Sequence, residues 1–116
     1  MLRDSATLLD MLKAARLAVE FREGMDKGAF LNDPKTQSAI LHQLLVLGEA
    51  AKRLSQEFRE QHQKILWKKI TGMRDKLIHE YDNVDLDEVW KTARSDIPRL
   101  IKQLEPLAPS KEENEP

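Results

Sequence analysis

Apolar side chains in this chain recur every third or fourth residue, in one segment after another, and no segment alternates. That spacing lines up one stripe of a helix and scatters across both faces of a strand. It restricts the chain to helices packed on helices. The first expected helix runs from Asp4 to Glu23: Leu8, Leu12, Ala15 and Val19 hold the period, Leu9 and Leu17 widen the stripe, and Gly24 ends it. Gly24 to Asn32 reads as a connector. Asp33-Pro34 opens the second helix, because Asp is a preferred cap and Pro is tolerated at the first helical position. Ile40, Leu41, Leu44, Leu45, Leu47, Ala51 and Leu54 then form a broad apolar face, and the helix is expected to continue past Phe58 toward Gln61.

The third expected helix covers Leu66 to Tyr81, with Leu66, Ile70, Met73 and Leu77 on one face. Asp85, followed three residues later by Glu88, makes a capping-box-like start to the fourth. Val89, Ala93, Ile97, Leu100, Ile101 and Leu104 carry its period, and Pro98 inside that pattern is expected to kink it. Short connectors favour antiparallel neighbours. The expectation is an all-α, up-and-down four-helix bundle with a kinked last helix. One domain spans residues 1–105, and 106–116, rich in Pro and Glu, is a disordered tail.

Composition narrows the chemistry. The 116 residues contain no cysteine, which removes disulfides, thiolate nucleophiles and Cys-based zinc sites. Formal net charge is −1, so any nucleic-acid site must come from a local cluster of cations. The early acid at Asp4 and the lack of a long apolar run argue against a secretory signal. Leu44 to Leu47 is far too short an apolar stretch to span a bilayer, and the chain reads as cytoplasmic.

The stretch Arg74-Asp75-Lys76-Leu77-Ile78-His79-Glu80-Tyr81 carries the chemistry. It places a permanent cation, a near-neutral imidazole and a phenol within eight residues. Arg matches phosphate geometry with a rigid fork of donors, and His moves protons near neutral pH. On a helical wheel Tyr81 falls roughly 20° from Arg74, flanking the apolar face, and His79 about 140° away, on the polar side. Arg74 and His79 of one straight helix therefore do not converge on one phosphate. Either the helix frays before His79 or a second copy completes the site, and a two-fold dimer is favoured. Asp75 and His79, four apart, are neighbours on the wheel. An arbitrary Arg and His at this spacing on a bundle helix are most often only solvated.

Other residues weigh less. Lys68, Lys69 and Lys76 on the third helix, with Lys52 and Arg53 on the second, are cations available to RNA; their plain reading is a solvated face. Glu49, in Gly48-Glu49-Ala50-Ala51, sits among small residues that suggest close helix approach; it reads equally as a residue that holds the Arg74 guanidinium and as a plain interhelical ion-pair partner. His42 reads as a packing histidine and His62 lies in a polar connector. Neither is at metal-ligand spacing with His79, so neither a metal nor a cofactor is expected. Trp67 and Trp90 read as packing aromatics.

The chain resembles the HepT family, the toxin half of HepT/MntA toxin–antitoxin modules within the wider HEPN superfamily. The resemblance rests on Gly48-Glu49-Ala50-Ala51-Lys52 and Leu54-Ser55, on Trp67 through Tyr81, on Val84-Asp85-Leu86-Asp87-Glu88-Val89-Trp90 and on Asp96-Ile97-Pro98. Gln63-Lys64-Ile65-Leu66 replaces a more usual Pro-containing lead into the Trp. The resemblance implies a type VII-like toxin: a homodimeric, metal-independent endoribonuclease with Arg74 and His79 as catalytic pair and a polar residue, here Asp75, after the Arg. It also implies AMPylation of Tyr81 by a cognate MntA-like minimal nucleotidyltransferase antitoxin. The competing expectation is a non-catalytic helical module that dimerises, binds RNA or docks that partner.

Overall fold

The computed structural model describes residues 2–109. Among them are seven α-helices: α1 (Leu2–Phe21), α2 (Lys27–Leu31), α3 (Pro34–Arg53), α4 (Gln56–Gln61), α5 (Trp67–His79), α6 (Leu86–Lys91) and α7 (Ile97–Leu104). A 3-10 turn at Tyr81–Asn83 follows α5, and a π-helical turn at Thr92–Asp96 joins α6 to α7. No strand forms among the described residues.

Pairs of contacting side chains give the topology. Asp4 at the start of α1 meets Ser55 just past the end of α3. Arg16 reaches Glu105 while Arg22, just past the end of α1, reaches back to Ala93. Lys69 pairs with Asp96, and Lys76, later on α5, pairs with the earlier Glu88. In each case one helix ascends as its neighbour descends. The expected up-and-down bundle of four is therefore present, with α6, the π turn and α7 acting as its fourth member.

The apolar stripes meet in one core. Leu8, Met11, Leu12 and Ala15 of α1 pack on Ile40, Leu44, Leu47 and Ala51 of α3, closed by Val89, Ala93, Ile97, Leu100 and Leu104. Helix α5 lies shallower: only Trp67 and Leu77 are buried, Ile70 and Met73 are half-buried, and Leu66 is exposed rather than on the core face. Ile65 takes the buried position in its place.

Three elements depart from the expected ones for local reasons. The connector before α3 contains α2, capped by Asp26, whose carboxylate accepts from the Ala29 amide. This short helix exists to bury Phe30 against Trp90, with ring centroids 5.3 Å apart. The second expected helix breaks at Leu54 and Ser55, which are both extended. Ser55 caps α4 through the Phe58 amide. The buried Asp4 carboxylate holds the break, accepting from the Ser55 amide at 2.9 Å and the Ser55 hydroxyl at 2.7 Å. Burial acts to raise the Asp4 pKa, yet the two Ser55 bonds win and it lies below the ordinary carboxylate value.

The kink expected at Pro98 takes the form of the π turn. Pro98 has no N–H to give and its ring crowds the preceding turn. The Ile97 amide bonds the Thr92 carbonyl, five residues back. By that register the Ala93 carbonyl faces Pro98 and finds no backbone donor. The Arg22 guanidinium Nε at the end of α1 donates to it instead, at 2.9 Å. Past α7, Leu107 and Ala108 stay against the core, while residues 110–116 of the expected tail lie outside the described residues.

Replacing Arg22 with Ala orphans the Ala93 carbonyl. The expected loss is about 1 kcal/mol of unfolding free energy in urea titration. Arg22→Ala in a Pro98→Ala background, where the backbone regains a donor, should lose less.

Candidate active site on the fifth helix

The site is organised by a gap in one helix. Gly48 of α3 is buried against α5, and a Cβ built on it would overlap the Cβ and Cγ of Arg74. Only a residue with no side chain lets the two backbones come this close. The close approach presses the Arg74 stem onto α3 and sends its guanidinium along the helix surface.

Four charges then interlock. Arg74 donates through Nη2 to Glu49 Oε1, from α3, in a short ion pair. Through Nη1 it donates to Asp75 Oδ1 at 2.9 Å. The same Asp75 oxygen accepts from Lys52 Nζ, also from α3, at 2.6 Å. Arg74 Nε is buried without a partner among the described residues, so the guanidinium is held by its two ends. Asp75 first, then Glu49, raise the Arg74 pKa above its already high ordinary value. Lys52 first, then Arg74, hold the Asp75 carboxyl below the usual carboxylate range. Both groups stay ionised through the neutral range.

His79 is the last residue of α5 and is exposed. The helix does not fray before it, so the wheel argument holds: Arg74 faces α3 and His79 faces away. Asp75 is engaged by Lys52 and Arg74, not by His79. Tyr81 lies beyond the helix, on the 3-10 turn, and is 75% exposed rather than flanking the apolar face. The Glu80 amide bonds the Lys76 carbonyl and closes α5 there.

The remaining candidates separate. Lys76 pairs with Glu88 at 3.0 Å, which raises its pKa, and Lys69 pairs with Asp96 at 3.7 Å. Lys68 is exposed and makes no ion pair among the described residues. Those two ion pairs bridge a groove of about 640 Å³ between α5 and the α6–α7 arm, lined by Ile70, Met73, Leu77, Val84 and Leu100. Neither Arg74 nor His79 lines that groove.

His42 is exposed on α3 rather than packed; it falls on the outer edge of a stripe that the spacing alone makes look continuous. His62 stacks on Phe58, with centroids 4.4 Å apart. Trp67 and Trp90 are buried packing aromatics, as expected. The Trp67 indole donates to the His62 carbonyl at 3.0 Å and anchors the start of α5, which has no side-chain cap. The unusual Gln63-Lys64-Ile65-Leu66 lead is thus accommodated without a proline. Sequence reasoning missed Lys52 as the partner of Asp75. Its signal was the i, i+3 spacing from Glu49, which puts both residues on the face of α3 that Gly48 opens.

Among the described residues no three His, Asp or Glu side chains gather as metal ligands would, and no helix is long and apolar enough to cross a membrane.

An all-α bundle of this topology, with a seated arginine and an exposed histidine and tyrosine at the end of one helix, has the HEPN-like fold. Residues 11–107 match the family described as Ribonuclease HepT-like, and the chain belongs to it. It is 41% identical over 97 residues to a Caldanaerobacter subterraneus subsp. tengcongensis protein named "Putative RNase TTE0752", covering 84% of this chain and 87% of that one. A Thermococcus cleftensis protein named "Probable ribonuclease HepT" is 41% identical over 100 residues, covering 86% of this chain and 91% of its own. No solved structure matches the chain.

Gly48→Ala should force α3 and α5 apart. The expected cost is about 1–3 kcal/mol, typical of overpacking a tight contact. It is read as a lower urea midpoint with an unchanged denaturant slope.

Proposed function

We propose that the protein is an endoribonuclease that cuts RNA by attack of a ribose 2′-hydroxyl on the adjacent phosphorus, and that it acts as the toxin of a type VII-like toxin–antitoxin module in the cytoplasm. The observation that carries this reading is Arg74 fixed by α3 while His79 of the same helix stands free in solvent. A charge-stabilising group gains from a rigid seat, because it then needs no reorganisation as charge develops. A proton-transfer group needs access to the reacting oxygens.

In the proposed mechanism His79 takes the proton of the 2′-hydroxyl. The new oxygen–phosphorus bond forms as the bond to the 5′-oxygen breaks, and a protonated imidazole supplies the proton that the leaving oxygen takes up. The products are a 2′,3′-cyclic phosphate and a free 5′-hydroxyl. Arg74 stabilises the extra negative charge on the phosphoryl oxygens through charge-assisted hydrogen bonds. No step calls on a metal. Because Arg74 and His79 diverge around α5, a homodimer brings the arginine of one protomer and the histidine of its partner over one linkage, and the two histidines divide the acid and base roles.

Tyr81 is proposed as the point of control. Its phenol is exposed and two residues from His79. A minimal nucleotidyltransferase antitoxin that transfers AMP to the phenol oxygen would add phosphate charge and bulk beside His79. Both repel an incoming RNA backbone.

His79→Ala and Arg74→Ala should each lower the rate of RNA cleavage in chelator at least about a hundredfold, with DNA of the same sequence uncut by any variant. Retention of RNA by wild type without any cleavage would instead identify a binding module. Tyr81→Phe should cut RNA at the wild-type rate and stay active after incubation with the partner nucleotidyltransferase and ATP; silencing of that variant would remove Tyr81 from the control mechanism.

A further inference from the structure

The Asp75 Oδ1 position has a property that the proposed reaction does not use. One carboxylate oxygen there accepts from two cations on two different helices, Lys52 Nζ at 2.6 Å and Arg74 Nη1 at 2.9 Å. The Glu49 contact on the other arm of the guanidinium involves Arg74 alone. An anion placed where Asp75 Oδ1 sits therefore gains two cations, and an anion placed at Glu49 gains one. The position is also reachable: the side chains of Lys52 and Asp75 are 37% and 47% exposed, while that of Arg74 is 23% exposed.

Resting on the ribonuclease reading, we infer that Asp75 Oδ1 occupies the place of a backbone phosphate oxygen of bound RNA, so that Lys52 on α3 is a second phosphate-binding cation beside Arg74 and Asp75 is a built-in competitor for that site. A phosphate group presents two unesterified oxygens, one for each cation. Asp75 is adjacent in sequence to Arg74 and swings out by rotation about its own side-chain bonds, with no movement of α5. Exposed ion pairs are weak enough for such an exchange, since water competes for both partners. Glu49 stays in place and keeps the guanidinium aimed while Asp75 leaves. Gly48 favours this, because with no side chain there the stem of Arg74 lies directly against the α3 backbone.

The two-cation site and a plain structural ion pair differ in the sign of their mutational effects. If Lys52 and Asp75 merely tie α3 to α5, removing either weakens the protein in the same way and leaves the count of RNA contacts unchanged. If Lys52 holds a phosphate and Asp75 competes for the same place, removing them acts in opposite directions. The measurement is equilibrium binding of a fully 2′-O-methylated RNA oligonucleotide, which keeps the phosphates and lacks the nucleophile, across a salt series. Cleavage of the unmodified RNA and thermal midpoints are followed in parallel.

Lys52→Ala should weaken binding about tenfold and reduce the magnitude of the log–log salt slope by about 0.7, the value for one single-strand phosphate contact. Lys52→Arg should restore both. Asp75→Asn should tighten binding several-fold and lower KM for the unmodified RNA. An unchanged salt slope in Lys52→Ala while wild type still cuts RNA overturns the two-cation site and leaves the ribonuclease reading intact. Weaker binding in Asp75→Asn overturns the competitor role. Wild type that neither binds nor cuts RNA overturns both the inference and the reading beneath it.

Discussion

The contact of Gly48 with the Arg74 stem is the constraint on which the rest of the site depends. A helix pair with ordinary side chains at its crossing keeps its axes roughly 8–10 Å apart. A bare backbone at the crossing brings the pair closer and gives short reach to the residues one turn away. Glu49 and Lys52 then touch Arg74 and Asp75 directly, with no need for long side chains to search for each other across solvent. Arg74 is thereby positioned by a residue with no side chain of its own.

Helix α5 has to satisfy two demands at once. It completes the bundle through Trp67 and Leu77, and it presents Arg74, His79 and, just past its end, Tyr81. Its shallow burial reconciles them. Its core side buries Trp67 and Leu77 while its outer arc leaves His79 exposed. The α6–π–α7 arm borders α5 on the other side, where Lys69 pairs with Asp96 and Lys76 with Glu88 at the surface. Two lysines that composition would assign to an RNA-binding face are thereby engaged within the protein. The cations that remain near Arg74 are fewer than a count along the sequence suggests, which is consistent with a chain of formal charge −1.

Much of the architecture was legible in the order of residues, and the misreadings share a cause. Leu66 and His42 were placed by period alone. Period assigns a residue to a face but does not say how wide the buried part of that face is, and both positions fall outside the contact area. The break at Leu54-Ser55 leaves no mark on the local sequence, because nothing nearby is a strong helix breaker. The cause is Asp4, fifty-one residues away, which binds the Ser55 amide and hydroxyl and rewards the extended backbone there. The π turn has the same character: Pro98 announces a disturbance, and Arg22, from the turn after α1, satisfies the Ala93 carbonyl there.

The sequence by itself determined the class of fold, the antiparallel order of the helices, the caps at Asp33 and Asp85, and the membership of Arg74, His79 and Tyr81 in one short segment. These follow from local rules, because period, capping and turn chemistry act within a few residues. It also suggested the close approach at Gly48 and a partnership between Glu49 and Arg74. Only the tertiary structure decided that Asp75 bonds Lys52 rather than His79, and that Lys69 and Lys76 pair with acids of the α6–π–α7 arm. Each of those outcomes depends on which charges a distant part of the chain brings alongside, and the order of residues along one helix carries no record of that.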